Sequence, residues 1–166
     1  MIDPNDKDTW VDNADEEAEF VNIYGKDIGA ILNPAKIFDT FAADLYSYRY
    51  DTLADLKVQR EPYRTSGNYG VKSEFCVTLN VMDIIRYGSL HGGRFLIYFW
   101  LQHPNNPQNG VYCTSIKRLY DSITKRRRQI HAYQTRNGAD GNKTHSFVLD
   151  INDLTKVQTT GESNVE

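Results

Sequence analysis

The chain has 166 residues, of which 40% are hydrophobic, 25% charged and 12% aromatic, the composition of one ordinary globular domain rather than a disordered chain or two cores. Its net charge of -3 divides unevenly, because residues 1–19 hold eight acids against Lys7 alone, a balance of -7, and the remainder carries +4. Two cysteines (Cys76, Cys113) with no CxxC pair, no His/Cys cluster at zinc spacing and no apolar run of about 18 residues exclude a disulfide scaffold, a zinc ribbon and a membrane span. The acidic, polar start is unlike a signal peptide, so a cytoplasmic, intracellular protein is expected, with no membrane partner and no small organic cofactor.

Residues 1–13 read as a flexible acidic arm, 14–159 as a single domain and 160–166 as a disordered tail. Asn13 or Asp15 can cap a helix running through Glu16, Glu17, Glu19 and Phe20 to Tyr24, with Gly25 as its stop. Ile28 to Pro34 is short, apolar and ambiguous, and Ala35 to Phe41 predicts a helical turn or two. Asp44 to Arg49 alternates as a strand, Tyr50-Asp51-Thr52 forms a turn, and Leu53 to Gln59 is the next strand, so the pair predicts a hairpin. After a polar loop from Arg64 to Gly70 come a strand (Glu74 to Leu79) and a short helix (Met82 to Tyr87). Arg94 to Gln102 is apolar on both faces and predicts a central strand, with Val111 to Thr114 as its partner. A helix from Ser115 to Arg128 follows, and Ile130 to Thr135 with Ser146 to Asp150 predicts a second hairpin. These elements together give an α/β (α+β) chain with a mixed central sheet flanked by helices.

The residues that carry chemistry lie between Asp44 and Glu61. On a strand, Asp55, Lys57, Gln59 and Glu61 share one face, while Ala54, Leu56 and Val58 share the other and face a core. Two carboxylates from neighbouring strands can converge on a hard cation such as Mg²⁺, and a lysine beside them can orient a water or neutralise a phosphate. The alternative is a solvated polar strand face with no chemistry.

Asp44, ten intervening residues and then Asp55-Leu56-Lys57 resemble the motif of the PD-(D/E)xK nuclease superfamily, with Ala43 where that motif has proline. The resemblance implies a restriction-endonuclease-like core and a Mg²⁺-dependent endonuclease acting on DNA, with Mn²⁺ able to substitute. It implies Asp44, Asp55 and the Leu56 carbonyl as metal ligands, Lys57 as the group assisting the water, and Gln59 as a ligand- or phosphate-orienting residue. A glutamate on the first helix, Glu19 or else Glu17, would support the outer metal sphere. A chain this small would cut both strands of a duplex as a homodimer. Asp39 ranks second to Asp44 as the first acid, since it falls on the predicted helical turn, and Asp51 sits too near Asp55 in the hairpin turn. Arg64, Lys72, Arg126, Arg127, Arg128 and Lys143 are the candidate phosphate contacts.

Other residues carry weaker signals. His91, His103, His131 and His145 are dispersed and expected at the surface or in loops. Gly92-Gly93 lacks the lysine and hydroxyl of a P-loop. The stripe Tyr46, Tyr48, Tyr50 reads as sheet packing. The competing function is a non-catalytic nucleic-acid- or protein-binding accessory module of a mobile element, and a third is a structural subunit of a larger assembly.

Overall fold

The computed structural model describes residues 7–126, 130–133 and 144–160. The chain falls into two units, Met1–Leu56 with Gln158–Glu166, and Lys57–Val157.

The first unit begins with helix α1, Lys7–Ile28. It starts earlier than the expected cap at Asn13 or Asp15, and acids in the early part of a helix suit its positive N-terminal end. It also runs through Gly25 rather than stopping there. A Cβ at Gly25 would lie 2.8 Å from the Ala30 carbonyl oxygen and 3.0 Å from Val21 Cγ1, so glycine is there to let the next strand approach. The turn out of the helix is made at Gly29, whose φ of +67° belongs to the left-handed region. The ambiguous apolar stretch then resolves into strand β1, Ala30–Leu32. The helix expected over Ala35 to Phe41 shrinks to a 3-10 turn, Pro34–Ile37. Asn33 sets it by accepting from the Ala35 N–H at 3.1 Å while its amide donates to the Ala43 carbonyl at 2.8 Å. Strands β2, Leu45–Ser47, and β3, Thr52–Gln59, form the predicted hairpin, with Asp51 at φ 48° in its turn. β1 pairs antiparallel with β2. Phe20, Ile28, Ala30, Leu45 and Ala54 make the core of this unit, each no more than 2% exposed.

β3 passes from the first unit into the second at residue 57. There follow β4, Cys76–Asn80, and α2, Val81–His91, which extends beyond the expected Tyr87 and is capped by the Asn80 side chain on the Met82 N–H at 2.9 Å. β5, Leu96–Leu101, and β6, Gly110–Ser115, pair antiparallel as expected, and Ile97 through Leu101 are all buried. Helix α3 spans Ile116–Arg126. β7, Ile130–Tyr133, and β8, Thr144–Asp150, form the second predicted hairpin. A two-residue strand, β9, Thr155–Lys156, pairs with β6. By strand pairing the sheets run β1-β2-β3-β5-β6-β9 and β4-β8-β7, which is the α+β class expected from the sequence. Among the described residues no helix is long and apolar enough to cross a membrane.

Candidate functional site

The β2–β3 hairpin sets the site. Its register pairs Tyr46 with Leu53 and Leu45 with Ala54, and one step further along Asp44 comes opposite Asp55. Residues that face each other across antiparallel strands carry their side chains on the same side. The two carboxyl groups meet, with a side-chain hydrogen bond between Asp44 and Asp55. Asp44 Oδ2 also accepts from the Leu56 N–H at 2.9 Å. Asp44 Oδ1 receives the Lys36 ammonium at 2.7 Å, and the same ammonium lies 2.6 Å from Glu17 Oε1. Glu17, Lys36, Asp44 and Asp55 thus form one chain of contacts within the first unit.

Burial and charge act against one another here. Burial pushes the Asp44 carboxyl up, but hydrogen bonds with Asp55, Lys36 and the Leu56 amide outweigh it and hold the group below the usual range. Glu17 goes the other way: burial first, then the neighbouring Asp44 charge, push it up to about 7 against the pull of Lys36. Burial disfavours the charged Lys36, yet bonds to both carboxylates win and raise it. A cavity of about 600 Å³ opens beside the cluster, and its lining combines Glu17, Lys36 and Asp44 with Leu32, Pro34 and Ile37.

The alternative reading, a polar and fully solvated face of β3, is not what the structure shows. Asp55 is only 4% exposed, and Lys57 and Gln59 are half-buried. In the second unit the Lys57 ammonium lies 3.0 Å from Asp83 Oδ2. Gln59 Nε2 donates to the Cys76 carbonyl at 2.9 Å and lies 3.2 Å from His103 Nε2, so its amide is tied into the fold. The first helix turns Glu17, not Glu19, to the cluster, and Glu19 is exposed. Asp39 accepts from the Phe41 N–H at 2.9 Å, outside the cluster and off the helix where it was expected. His103 lies in a loop, as expected, but is buried there, 3% exposed, with Nδ1 3.1 Å from Asn106 Nδ2. Burial, partly offset by Glu61, holds its imidazole below the ordinary value. Tyr48 and Tyr50 are not sheet packing, because β2 ends at Ser47 and both rings are about half exposed, at 54% and 53%. Burial pushes both thiols, Cys76 and Cys113, up to about 12, which leaves them inert. Arg64 and Lys72 are exposed. The Arg126 side chain, Arg127, Arg128 and Lys143 lie outside the described residues.

Lys36 is the residue that sequence reasoning missed. Asn33-Pro34 signals a turn start, but contacts 8 and 19 residues away along the chain are made by tertiary packing. Glu17 left a signal: it precedes the fully buried Phe20 by three positions and therefore shares its helix face. Among the described residues, no three His, Cys, Asp or Glu side chains are arranged as a ready metal cage. The donors are all oxygens, and two carboxylates with waters are a ligand set that suits Mg²⁺.

No family model and no curated protein matches the chain. Among solved structures it is similar to that of D212, a nuclease from a fusselovirus, at 12% identity and a TM-score of 0.48, with 94% of this chain and 90% of that chain covered.

Proposed function

We propose that the protein is a metal-dependent nuclease that hydrolyses DNA phosphodiester bonds, acting as a homodimer where both strands of a duplex are cut. The observation that carries this function is the Asp44–Asp55 pair, two carboxyl groups in hydrogen-bond contact with Asp55 only 4% exposed. Carboxylates gathered away from water cost several kcal/mol each unless something compensates them. A strand whose polar face merely meets solvent gives no reason for that burial.

Asp44 and Asp55 would hold Mg²⁺ or Mn²⁺, with the Leu56 carbonyl as the further ligand that the motif implies. Bound there, a divalent cation supplies a Lewis acid for the phosphate and a more acidic water. Hydrolysis forms a bond from a water oxygen to phosphorus and breaks an ester P–O bond in line with it. Glu17, pushed up to about 7, is poised to take the proton that the water gives up. Lys36, beside the cavity, can neutralise charge on the phosphate oxygens.

The test is cleavage of supercoiled plasmid, linear duplex and four-way junction with Mg²⁺, Mn²⁺ or EDTA. Metal-dependent cleavage is expected, with Asp44→Asn and Asp55→Asn each lowering the rate by about 10² or more. Wild-type rates in both variants, or cleavage indifferent to EDTA, would overturn the proposal. Lys57→Ala in the same series reports whether the strand lysine takes the part that the motif assigns to it.

A further inference from the structure

Lys36 lies outside the strand motif, yet it already performs a cation's work at the carboxylates. Its ammonium bridges Glu17 Oε1 at 2.6 Å and Asp44 Oδ1 at 2.7 Å. An ionised carboxylate offers about four lone-pair positions. On Asp44 the Lys36 ammonium takes a position on Oδ1 and the Leu56 N–H one on Oδ2, and the carboxyl groups of Asp55 and Glu17 crowd the remainder. The Leu56 amide belongs to the backbone of β3 and cannot swing away without breaking the strand. Lys36 sits on a four-carbon flexible stem at the end of a short 3-10 turn, and it alone carries the same sign of charge as an incoming metal.

We propose that Lys36 is a built-in stand-in for the divalent cation, bridging Glu17 and Asp44 in the metal-free protein and leaving Asp44 when a cation binds. This inference rests on the metal-dependent function proposed above. Lys36 keeps the carboxylates from repelling one another before metal arrives, and it sets the affinity of the site by competing for Asp44. Once displaced, the ammonium remains next to Glu17 and the cavity, where an anionic phosphate is the complementary partner.

The probe is Mn²⁺ alone, titrated into the full-length protein and followed by electron paramagnetic resonance. Removing a charged hydrogen-bonding competitor in Lys36→Met is expected to tighten Mn²⁺ binding by about tenfold or more. Lys36→Arg, which keeps the charge, is expected to stay near wild type. Equal or weaker Mn²⁺ binding by Lys36→Met would overturn the inference. A second measurement needs no variant: in wild-type protein with isotope-labelled lysine, the Lys36 Cε and Hε signals should shift saturably with Mg²⁺, and signals that stay still while Mg²⁺ binds would also overturn it. Asp44→Asn separates the two proposals. Should wild type bind Mn²⁺ and Asp44→Asn lose it while Lys36→Met matches wild type, only the stand-in role falls. Should wild type and every variant bind none, the metal-dependent function falls as well.

Discussion

Glu17 carries two opposed demands, because a charged carboxylate is useful to Lys36 but costly where burial and Asp44 surround it. The outcome is a group raised from 4.5 to about 7. A carboxyl raised on folding binds its proton more tightly in the native state, so its contribution to stability is fully present below pH 4.5 and is lost as pH rises through about 7. In metal-free protein, Glu17→Gln mimics the neutral form at every pH. Urea midpoints are expected to coincide for the two proteins near pH 4 and to favour the variant at pH 8 by on the order of 1–3 kcal/mol. Midpoints that run parallel across that range would contradict the assignment. His103 works with the opposite sign. Its imidazole is held below 6.5 by burial, so its contribution is whole above that pH and is lost as pH falls below 6.5 and through its lowered native value. His103→Gln, compared with wild type by the same midpoints, should therefore flatten the loss on acidification.

At the scale of elements, α1 and the strand it feeds are joined by a glycine whose value is space. An alanine at an interior helix position normally gains about 1 kcal/mol over glycine. At Gly25 that gain meets the Ala30 carbonyl at 2.8 Å, a backbone atom that cannot rotate aside. Gly25→Ala is expected to destabilise the protein by about 1–3 kcal/mol, the usual cost of overpacking, as read from the urea midpoint. A stabilised variant would mean that α1 and β1 separate at little cost. The same close approach explains why Gly25 looked like a helix stop, since spacing along the chain does not reveal what packs against it. Longer elements were legible. The doubly apolar run of β5, its partner β6 and both hairpins follow from period and turn residues alone. Short elements were not, because β1 and β9 have three and two residues, too few for any period, and exist through their partners β2 and β6. The candidate site divides along the same line. Asp44 and Asp55 were legible because a hairpin register is a local property. Lys36 was not, because its bonds to Glu17 and Asp44 depend on where an irregular segment lies against a helix.

For the molecule as a whole, the partition of charge makes a prediction that the fold does not. Residues 1–19 carry -7 and the rest +4, so a polyanionic substrate of the proposed nuclease would be attracted by one part of the sequence and repelled by the other. Basic residues gather along α3, where Lys117 is 78% exposed and Lys125 also faces solvent. Side chains that contact phosphates release counterions, whereas acids that make no phosphate contact only lower the potential that a polyanion meets. The two effects therefore differ in their response to salt. If the protein binds DNA as proposed, replacing Asp3, Asp6 and Asp8 together by asparagine should strengthen duplex binding a few-fold at about 50 mM salt and much less at about 200 mM, because added salt shortens the range over which their negative charge is felt. Replacing Lys117 and Lys125 by alanine should weaken binding to all sequences alike and lower the slope of log affinity against log salt by about one for each phosphate that is no longer neutralised. Fluorescence anisotropy with a labelled duplex at the two salt concentrations checks both. A slope unchanged in the lysine variant would count against α3 as a DNA-binding surface of the proposed nuclease, and an unchanged affinity in the asparagine variant would count against the acidic segment as a source of repulsion.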